Sequence, residues 1–304
     1  MKKLLPGIIL LFSSSLIRAQ TPATPADTAW KSGADFSLQF SQAAYNNWQA
    51  GGVNSIAGNI LFNAFMDYDN GGKWAWYNTV TMAYGLNFQD TIFSKTDDRF
   101  EFESRLDRKI SKNWNLSTLL NFRTQFTNGY ETAGVREDTT KISGFLAPAY
   151  TLLGLGATYK PNKKFSAFIS PLTMKVTTVN DERLSNMGAF GVDTGSINRF
   201  EIGGYVNIGY KTPLAENIKL QAKLDLYSNY LDGNYKFIDV NSEVIIFMKV
   251  NDYITANLAL NLIYDHDILI DSDGDGSPEG PRTQFREVLG VGFAYSFGDE
   301  RNKR

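Results

Sequence analysis

Large apolar residues alternate with small or polar residues along most of the chain from about residue 34 onward. The clearest run is the last one, at residues 283–297, where one face is mostly large and apolar and the other is small or polar. The first face comprises Phe285, Glu287, Leu289, Val291, Phe293, Tyr295 and Phe297. A period of two residues is that of a β-strand, and such unlike faces indicate a strand that separates two different environments.

About twelve runs of this kind follow one another, and the segment 99–110 shows most clearly what the second face is like. Phe100, Phe102 and Leu106 share one face, whereas the opposite face is charged. A secreted β-sandwich or a soluble barrel, the main alternatives, would turn that second face toward a core, make it apolar, and use shorter strands. The pattern therefore predicts an all-β fold, a closed antiparallel transmembrane β-barrel of about 12 strands.

The connections between the predicted strands alternate in length. Tight turns such as Asp69-Asn70-Gly71-Gly72 follow the even-numbered strands, while longer segments, among them 127–144, 179–197 and 268–282, follow most odd-numbered ones, including the third,. This alternation is typical of outer-membrane barrels with both termini in the periplasm. Pro148 and Pro171 fall in two predicted strands, and because proline cannot donate to a ladder we expect a bulge or a late strand start at each.

Aromatic residues collect near both ends of the predicted strands. The set near the short turns comprises Trp74, Trp76, Trp114, Tyr210 and Phe297, and the set near the long loops comprises Phe88, Phe126 and Tyr230. Two aromatic girdles at the two membrane interfaces are what a bilayer favours in a barrel.

Composition agrees with this class and excludes others. The mean hydropathy of -0.25 is too polar for a bundle of membrane helices, while aromatic residues make up 13% of the chain and favour strands,. The chain has no cysteine, which excludes disulfides, thiolate metal sites and an N-terminal lipid-modified cysteine,.

Residues 1–19 predict a signal peptide, and its removal shifts the formal net charge from -2 to -5 by taking away Lys2, Lys3 and Arg18,. A net negative charge argues against nucleic acid as a partner.

The chain is thus divided into a signal peptide at 1–19, a flexible lead-in at 20–32, an outer-membrane barrel at 33–298 and a polar periplasmic tail at 299–304. The segment NWQAGGVN at 47–54 and the terminal GVGFAYSF at 290–297 resemble a family of Bacteroidota outer-membrane barrels catalogued as a domain of unknown function. The resemblance runs from about Trp30 to Phe297 and implies a Gram-negative outer membrane, but no reaction.

The last strand also resembles the closing strand of a bacterial outer-membrane barrel. Its large face ends in an aromatic residue, and the assembly signal implied by the resemblance comprises Val291, Phe293, Tyr295 and Phe297. Outer-membrane lipid and the barrel-assembly machinery are therefore the expected partners, together with a small solute or a surface partner.

Charged residues of both signs occupy the phase that should face the lumen. They include Arg99, Glu101, Glu103, Arg105, Asp107, Lys109, Arg123, Arg199, Glu201, Lys223, Asp225 and Arg286. Two interpretations stay open: a salt-bridged, hydrated interior that stabilises the barrel, or a selective solute path. Twelve strands lie between eight-stranded barrels filled by side chains and the 16- to 18-stranded porins with open channels.

The sharpest local motif is an acidic run in the last loop. Asp271, Asp273 and Asp275 with Gly276 match the first half of a calcium loop, and Glu279 stands at its ninth position,. The twelfth position holds Arg282 instead of a bidentate Glu. The motif therefore predicts either a weak Ca2+ site formed by Asp271, Asp273, Asp275 and Glu279, the one candidate cofactor, or a solvated acidic loop.

His266 is the only histidine, and no serine is placed to form a catalytic set with it, so no catalytic residue and no enzymatic activity are predicted,. Three function classes follow. The leading hypothesis is a narrow channel or small-solute transporter, because the predicted lumen is charged. The second is a non-enzymatic structural or partner-binding protein that acts through its long external loops, and the third, favoured least, is an outer-membrane lipid-modifying enzyme.

Overall fold

The computed structural model describes residues 29–44, 53–89, 91–131, 134–231, 236–251, 253–270 and 280–299. The predicted signal peptide, the predicted calcium residues between 271 and 279, and the tail from residue 300 lie outside the described residues. Within this part of the chain, no helix is both long enough and apolar enough to cross a membrane.

Twelve antiparallel strands close into one barrel, as the alternation predicts. They are β1 (Trp30–Ala43), β2 (Ser55–Asp69), β3 (Trp74–Gln89), β4 (Ile92–Lys109), β5 (Trp114–Thr124), β8 (Ala149–Tyr159), β9 (Phe165–Thr178), β10 (Asn198–Ala215), β11 (Ile218–Asn229), β12 (Asp239–Lys249), β13 (Ile254–Tyr264) and β16 (Gln284–Gly298). Their order around the wall is β1-β16-β13-β12-β11-β10-β9-β8-β5-β4-β3-β2. The first strand begins at Trp30, three residues before the predicted boundary of the barrel.

Short elements lie in the connections. Strands β6 (Gly129–Tyr130) and β7 (Lys141–Ser143) form one two-stranded sheet, and β14 (Leu269–Ile270) and β15 (Gly280–Pro281) form another. Helix α1 spans Glu182–Asn186, and short 3-10 helices lie at Asp138–Thr140 and Ala189–Gly191. All the longer connections emerge at one end of the barrel, here called the loop end. The opposite end, with the short turns and both ends of the barrel chain, is called the terminal end.

One predicted long connection, after the third strand, is wrong. Strand β4 begins at Ile92, and Gln89 pairs with Ile92, so only two residues separate β3 from β4. The polar run from Lys95 to Asp98 does not alternate, because the pairing of β4 with β3 shifts by one residue opposite Gly85 and Leu86. The sequence pattern therefore gave no sign that β4 begins before this run. Phe88 and Phe93 then pack with ring centroids 4.4 Å apart, which holds the long hairpin together.

Both predicted proline irregularities are confirmed. Strand β8 starts immediately after Pro148. In β9 the pairing shifts around Pro171, since Ile169 pairs with Ala157 but Leu172 pairs with Leu155. The extra residue reverses the alternation, so that outward-facing positions are odd-numbered before the bulge and even-numbered after it.

The outer surface of the barrel is apolar. Among the outward-facing side chains, Leu116, Leu172 and Phe293 are 54%, 54% and 57% exposed. The predicted girdle residues Trp74, Trp76, Trp114, Tyr210 and Phe297 at the terminal end, and Phe126 and Tyr230 at the loop end, are also exposed, while Phe88 is half-buried. A surface of this kind needs an apolar solvent, because contiguous apolar patches of this extent are unusual on soluble proteins.

The seam between the first and last strands is short. Strands β1 and β16 form pairs from Gly33↔Gly298 to Phe40↔Val291, and the pairing stops there. Both strands continue beyond this point: β1 pairs with β2 as far as Ala43, and β16 pairs with β13 as far as Gln284. Among the described residues, the seam is therefore unpaired at the loop end.

Candidate functional site

The structure places all twelve predicted lumen charges on the inner phase of the wall, where strand pairing sets each neighbour. The inner side is thus a dense array of ionisable groups rather than a smooth tube. The strands that carry these charges lie on several sides of the barrel. A short distance between charges on opposite sides therefore means that side chains cross the lumen.

One ion pair joins opposite sides of the barrel. Arg99 on β4 donates through Nη1 to Glu243 Oε1 on β12 at 2.9 Å. These strands lie six positions apart in a ring of twelve, which is the largest separation the ring allows. The pair therefore spans the lumen and divides its wall into two halves of five strands each.

A second crossing is centred on Glu101 of β4. Lys223 Nζ on β11 donates to Glu101 Oε1 at 3.0 Å, and Arg123 Nη2 on β5 lies 3.3 Å from the same oxygen. Asn121 Nδ2 donates to it as well, at 2.9 Å. Lys223 also lies 3.5 Å from Glu103 Oε2. Because β4 and β11 are five strands apart, this network also crosses the interior.

The half of the wall formed by β5 and β8–β11, here called the packed half, is filled by large side chains. Leu119, Phe168, Tyr205 and Tyr227 form a buried cluster against the wall, with Leu152 packed on it. Tyr205 donates through its hydroxyl to Asp225 Oδ1 at 2.6 Å, so the apolar cluster and the ionic network share a boundary. Large side chains and charged groups together line the inner side of this half.

The loop end of the packed half carries a second ionic group. Lys175 Nζ lies 3.1 Å from Asp239 and 3.5 Å from Glu201, and Arg199 Nη2 lies 2.7 Å from Asp267. Glu201 is only 2% exposed. These pairs link β9, β10 and β12 to the connection after β13 at the loop end of the lumen.

At the terminal end the polar contacts run along the wall instead of across it. Asp107 accepts from Ser117 Oγ at 2.7 Å and pairs with Arg105 of its own strand at 3.1 Å. Lys109 lies 2.8 Å from Asp69 in the adjoining turn. One contact is an exception: Lys160 Nζ, in the turn after β8, lies 5.1 Å from the centroid of the Tyr77 ring on β3, three strand positions away.

The other half of the wall, formed by β13, β16, β1, β2 and β3, presents mainly small or amide side chains, with Arg286 of β16 as a charged exception paired to Asp97, and is here called the small-residue half. Ser37, Gln39 and Asn257 are buried. A Cβ on Gly290 would lie 2.1 Å from Gln39 Oε1, so the glycine leaves the room that the Gln39 side chain occupies. Four side-chain oxygens here have no hydrogen-bond partner among the described residues: Ser37 Oγ, Asn59 Oδ1, Thr255 Oγ1 and Asn257 Oδ1.

An ordered cap lies over the loop end of the packed half, formed by residues 141–147 and 179–197. Its core comprises Ala147, Val179, Leu184 and Val192. Asp181 caps α1 by accepting from the Leu184 N–H at 2.9 Å and pairs with Lys141 Nζ at 2.5 Å. Burial acts to raise the pKa of the Asp181 carboxyl, but these hydrogen bonds outweigh it and hold the pKa below its usual value,.

His266 lies in the connection after β13, with its ring stacked on Phe237 at a centroid distance of 3.5 Å. Its Nδ1 lies 3.4 Å from the Tyr264 hydroxyl. The neighbouring Asp267 pairs with Arg199 instead of orienting the imidazole. Within the described ranges, these contacts assemble no nucleophile, base and orienting group.

Some site residues were not among the predicted lumen set. Asp97 on β4 forms an ion pair with Arg286 on β16 at 3.1 Å, and these two strands lie four positions apart in the ring. Phe168 belongs to the buried cluster of the packed half. Pro171 was the sequence signal for Phe168. The bulge at this proline reverses the alternation, so the even-numbered residues before it, including Phe168, face inward. Nothing in the alternation identified Asp97, which lies beside a register shift.

Comparison with known proteins gives the following likenesses. A family model described as a protein of unknown function (DUF3078) matches residues 40–130. No curated protein matches. Several solved outer-membrane β-barrel structures are similar to this chain at 10–12% residue identity.

The translocator domain of the autotransporter NalP from Neisseria meningitidis is 12% identical with a TM-score of 0.37, covering 88% of this chain and 89% of that one. An outer membrane channel from Pseudomonas putida F1 is 10% identical with a TM-score of 0.38, covering 91% and 100%. Outer membrane phospholipase A from Escherichia coli is 12% identical with a TM-score of 0.36, covering 90% and 94%. Similarities this weak assign no family and no activity to this chain.

Proposed function

We propose that this protein is an integral barrel of a Gram-negative outer membrane whose lumen is a narrow, selective path for a small solute, closed in the state described here. The apolar outer surface between two aromatic girdles supports the membrane location,. The terminal end then faces the periplasm and the loop end faces outward. Protease treatment of intact cells tests this orientation: cleavage should occur in the connections of the loop end only.

The observation that carries the solute path is the pair of crossings at Arg99–Glu243 and Glu101–Lys223. Wall-to-wall ion pairs exclude a wide, permanently open pore. They are also polar, hydrated at their margins and separable without unfolding the wall, unlike an apolar plug. A passage that opens when these pairs part would admit small polar solutes and select among them by charge.

Conductance in planar bilayers tests this proposal. The wild-type barrel should show small, infrequent openings, and the double variant Glu101→Gln/Lys223→Met should conduct more often because the central crossing is lost. Lys109→Met is the matched control, since its partner Asp69 lies in an adjoining turn and the pair does not cross the lumen. Absence of current in all three proteins at every voltage would remove the channel proposal.

A second candidate, binding of a surface partner, rests on the cap. Its core is ordered, yet Phe145 and Met187 are 58% and 66% exposed at the loop end. Exposed apolar side chains on an ordered loop are typical of protein contact sites. Co-purification from native membranes, compared between wild type and Phe145→Ser/Met187→Ser, would test it: an unchanged set of bound proteins would count against this candidate.

A further inference from the structure

The unpaired part of the seam lies between two strands that are themselves well held. Above Phe40↔Val291, the register would bring Ser41 opposite Gly290, but this pair does not form. Ser41 stands on the inner phase and yet is exposed, whereas Ser37 and Gln39 on the same phase are buried. Unpaired strand edges are unfavourable in lipid, where no water can satisfy the backbone. Among the described residues, no backbone pairing closes this part of the seam, so another molecule could enter between β1 and β16 here.

The unpartnered oxygens of the small-residue half lie on the inner phase from the level of this gap downward, with Asn257 opposite Gly290 at the top and Ser37 opposite Ala294 at the bottom. Gln39 pairs with Gly292 and with Asn59 on its two sides, and Gly292 pairs with Thr255. Ser37 and Asn257 are each 7% exposed, and both point inward. A buried oxygen without a hydrogen bond costs about 1–3 kcal/mol, so four on one stretch of wall need an explanation.

The chemistry of these atoms restricts what could satisfy them. Asn59 Oδ1 and Asn257 Oδ1 can only accept, while the hydroxyls of Ser37 and Thr255 can accept or donate,. None of the four groups carries a charge. They therefore match hydroxyl or amide donors on an uncharged molecule better than they match an ion.

The outer face of the seam is amphipathic. Gln42 and Glu287 are exposed on the outward phase, one on each side of the gap, where most outward residues are apolar. Phe40, Leu289 and Val291 nearby are 53%, 64% and 52% exposed. The apolar side chains on the outer side of the gap would contact the hydrocarbon part of an amphipathic molecule whose polar end lies inside.

We propose that the small-residue half binds an uncharged amphiphile, with its hydroxyl-bearing head group against Ser37, Asn59, Thr255 and Asn257 and its hydrocarbon chain passing between β1 and β16 into the outer leaflet. This site is separate from the crossings that close the solute path. It rests on the proposed membrane location but requires no ion conduction.

Disulfide closure of the seam tests the route, because the chain has no native cysteine. Ser41→Cys/Gly290→Cys joins the unpaired strands, and Asp35→Cys/Ser296→Cys, an existing pair of the same phase outside the proposed site, is the control. Binding of a pyrene-labelled monoacylglycerol to the full barrel in lipid nanodiscs is measured in oxidised and reduced protein. We expect saturable binding to wild type, a loss of at least about tenfold in the oxidised Ser41→Cys/Gly290→Cys protein, recovery on reduction, and no loss in the control.

Head-group recognition is tested without a crosslink. Asn59→Leu/Asn257→Leu should lower affinity for the monoacylglycerol at least about tenfold while leaving the heat-modifiable mobility of the folded barrel unchanged. A pyrene-labelled fatty acid, which carries a charged head, should bind wild type more weakly than the monoacylglycerol. No saturable binding, equal losses in both disulfide variants, or equal affinity for the fatty acid would overturn the site.

These outcomes separate the two proposals. A barrel absent from outer-membrane fractions would defeat the proposed function and this inference together. A barrel that is present and conducts but binds no monoacylglycerol would defeat this inference alone. A barrel that binds the probe but never conducts would retain the amphiphile site and remove the solute path.

Discussion

The two halves of the barrel wall share one backbone architecture and differ in what they place inside. The packed half, β5 and β8–β11, carries Leu119, Phe168 and Tyr205 together with buried charges. The small-residue half, β13, β16 and β1–β3, carries glycines, hydroxyls and amides, and four of its oxygens have no partner among the described residues.

This contrast shows that a β-barrel interior need not be uniform around the axis. Alternation fixes only that every second side chain faces inward. The size and charge of that side chain decide whether the neighbouring lumen is filled by protein or available to another molecule. Each prediction below compares a change in one half with a matched change in the other.

The largest expected effect is on apolar packing. Phe168→Ala should lower the free energy of unfolding by about 3–5 kcal/mol, because it empties a fully buried site in the packed half,. Leu61→Ala, at a half-buried inward position of the small-residue half, should cost clearly less. Urea unfolding followed by tryptophan fluorescence measures both, and equal losses would mean that the two halves are packed alike.

The next effect is on the central crossing. Glu101→Gln should destabilise the barrel by about 3 kcal/mol, since it removes the carboxylate that Lys223 and Arg123 contact,. The double variant Glu101→Gln/Lys223→Met should recover at least about half of this loss, because it also removes the Lys223 ammonium group that Glu101→Gln leaves without its counter-charge. A double variant as unstable as the sum of its two single variants would show that the crossing contributes no coupling energy.

Smaller effects are expected from two buried asparagines. Asn121→Leu in the packed half should cost about 1–3 kcal/mol, because it removes the 2.9 Å hydrogen bond to Glu101,. Asn257→Leu in the small-residue half should be neutral or slightly stabilising in protein free of amphiphile, because the Asn257 oxygen has no hydrogen-bond partner in the part of the chain that the structure describes,. Equilibrium unfolding compares them, and a loss at Asn257 as large as that at Asn121 would contradict the distinction.

The smallest effect concerns the cap above the packed half. The pKa of Asp181 is lower in the folded protein than its usual value, so its contribution is complete above the unfolded pKa, about 3.9, and is lost as pH falls through the folded pKa,. The amide protection factors of residues 182–187, which compare the measured exchange with the intrinsic rate at the same pH, should therefore fall at pH 3, by up to about 1 kcal/mol in opening free energy. Asp181→Asn keeps the cap without the titration and should be insensitive to this change in pH.

Much of the barrel was predictable because alternation and turn residues are local signals. Trp74, Trp76 and the following apolar positions place β3 correctly, and the Asp-Asn-Gly-Gly turn marks its start. Pro148 and Pro171 mark an actual strand start and an actual bulge. The start of β4 was missed because its polar run has no period of two.

The site was predictable only as a set of inward residues. Which of them meet depends on the closure of the ring, and no local pattern records that β4 faces β12. Glu101 could be placed in the lumen from its neighbours Phe100 and Phe102, but its contact with Lys223 could not. The unpaired seam was likewise invisible, because Ser41 and Gly290 each continue a regular alternation.

The Arg99–Glu243 contact also bears on the order of folding. Its partners are separated by 144 positions in the chain and lie on strands that approach each other only when the sheet curls into a ring. Contacts between such distant residues form late, because the intervening chain must first be ordered. The contact therefore belongs to the closed ring as a whole and to no single hairpin, so its loss would weaken the closed state without disturbing the pairing of either strand with its neighbours.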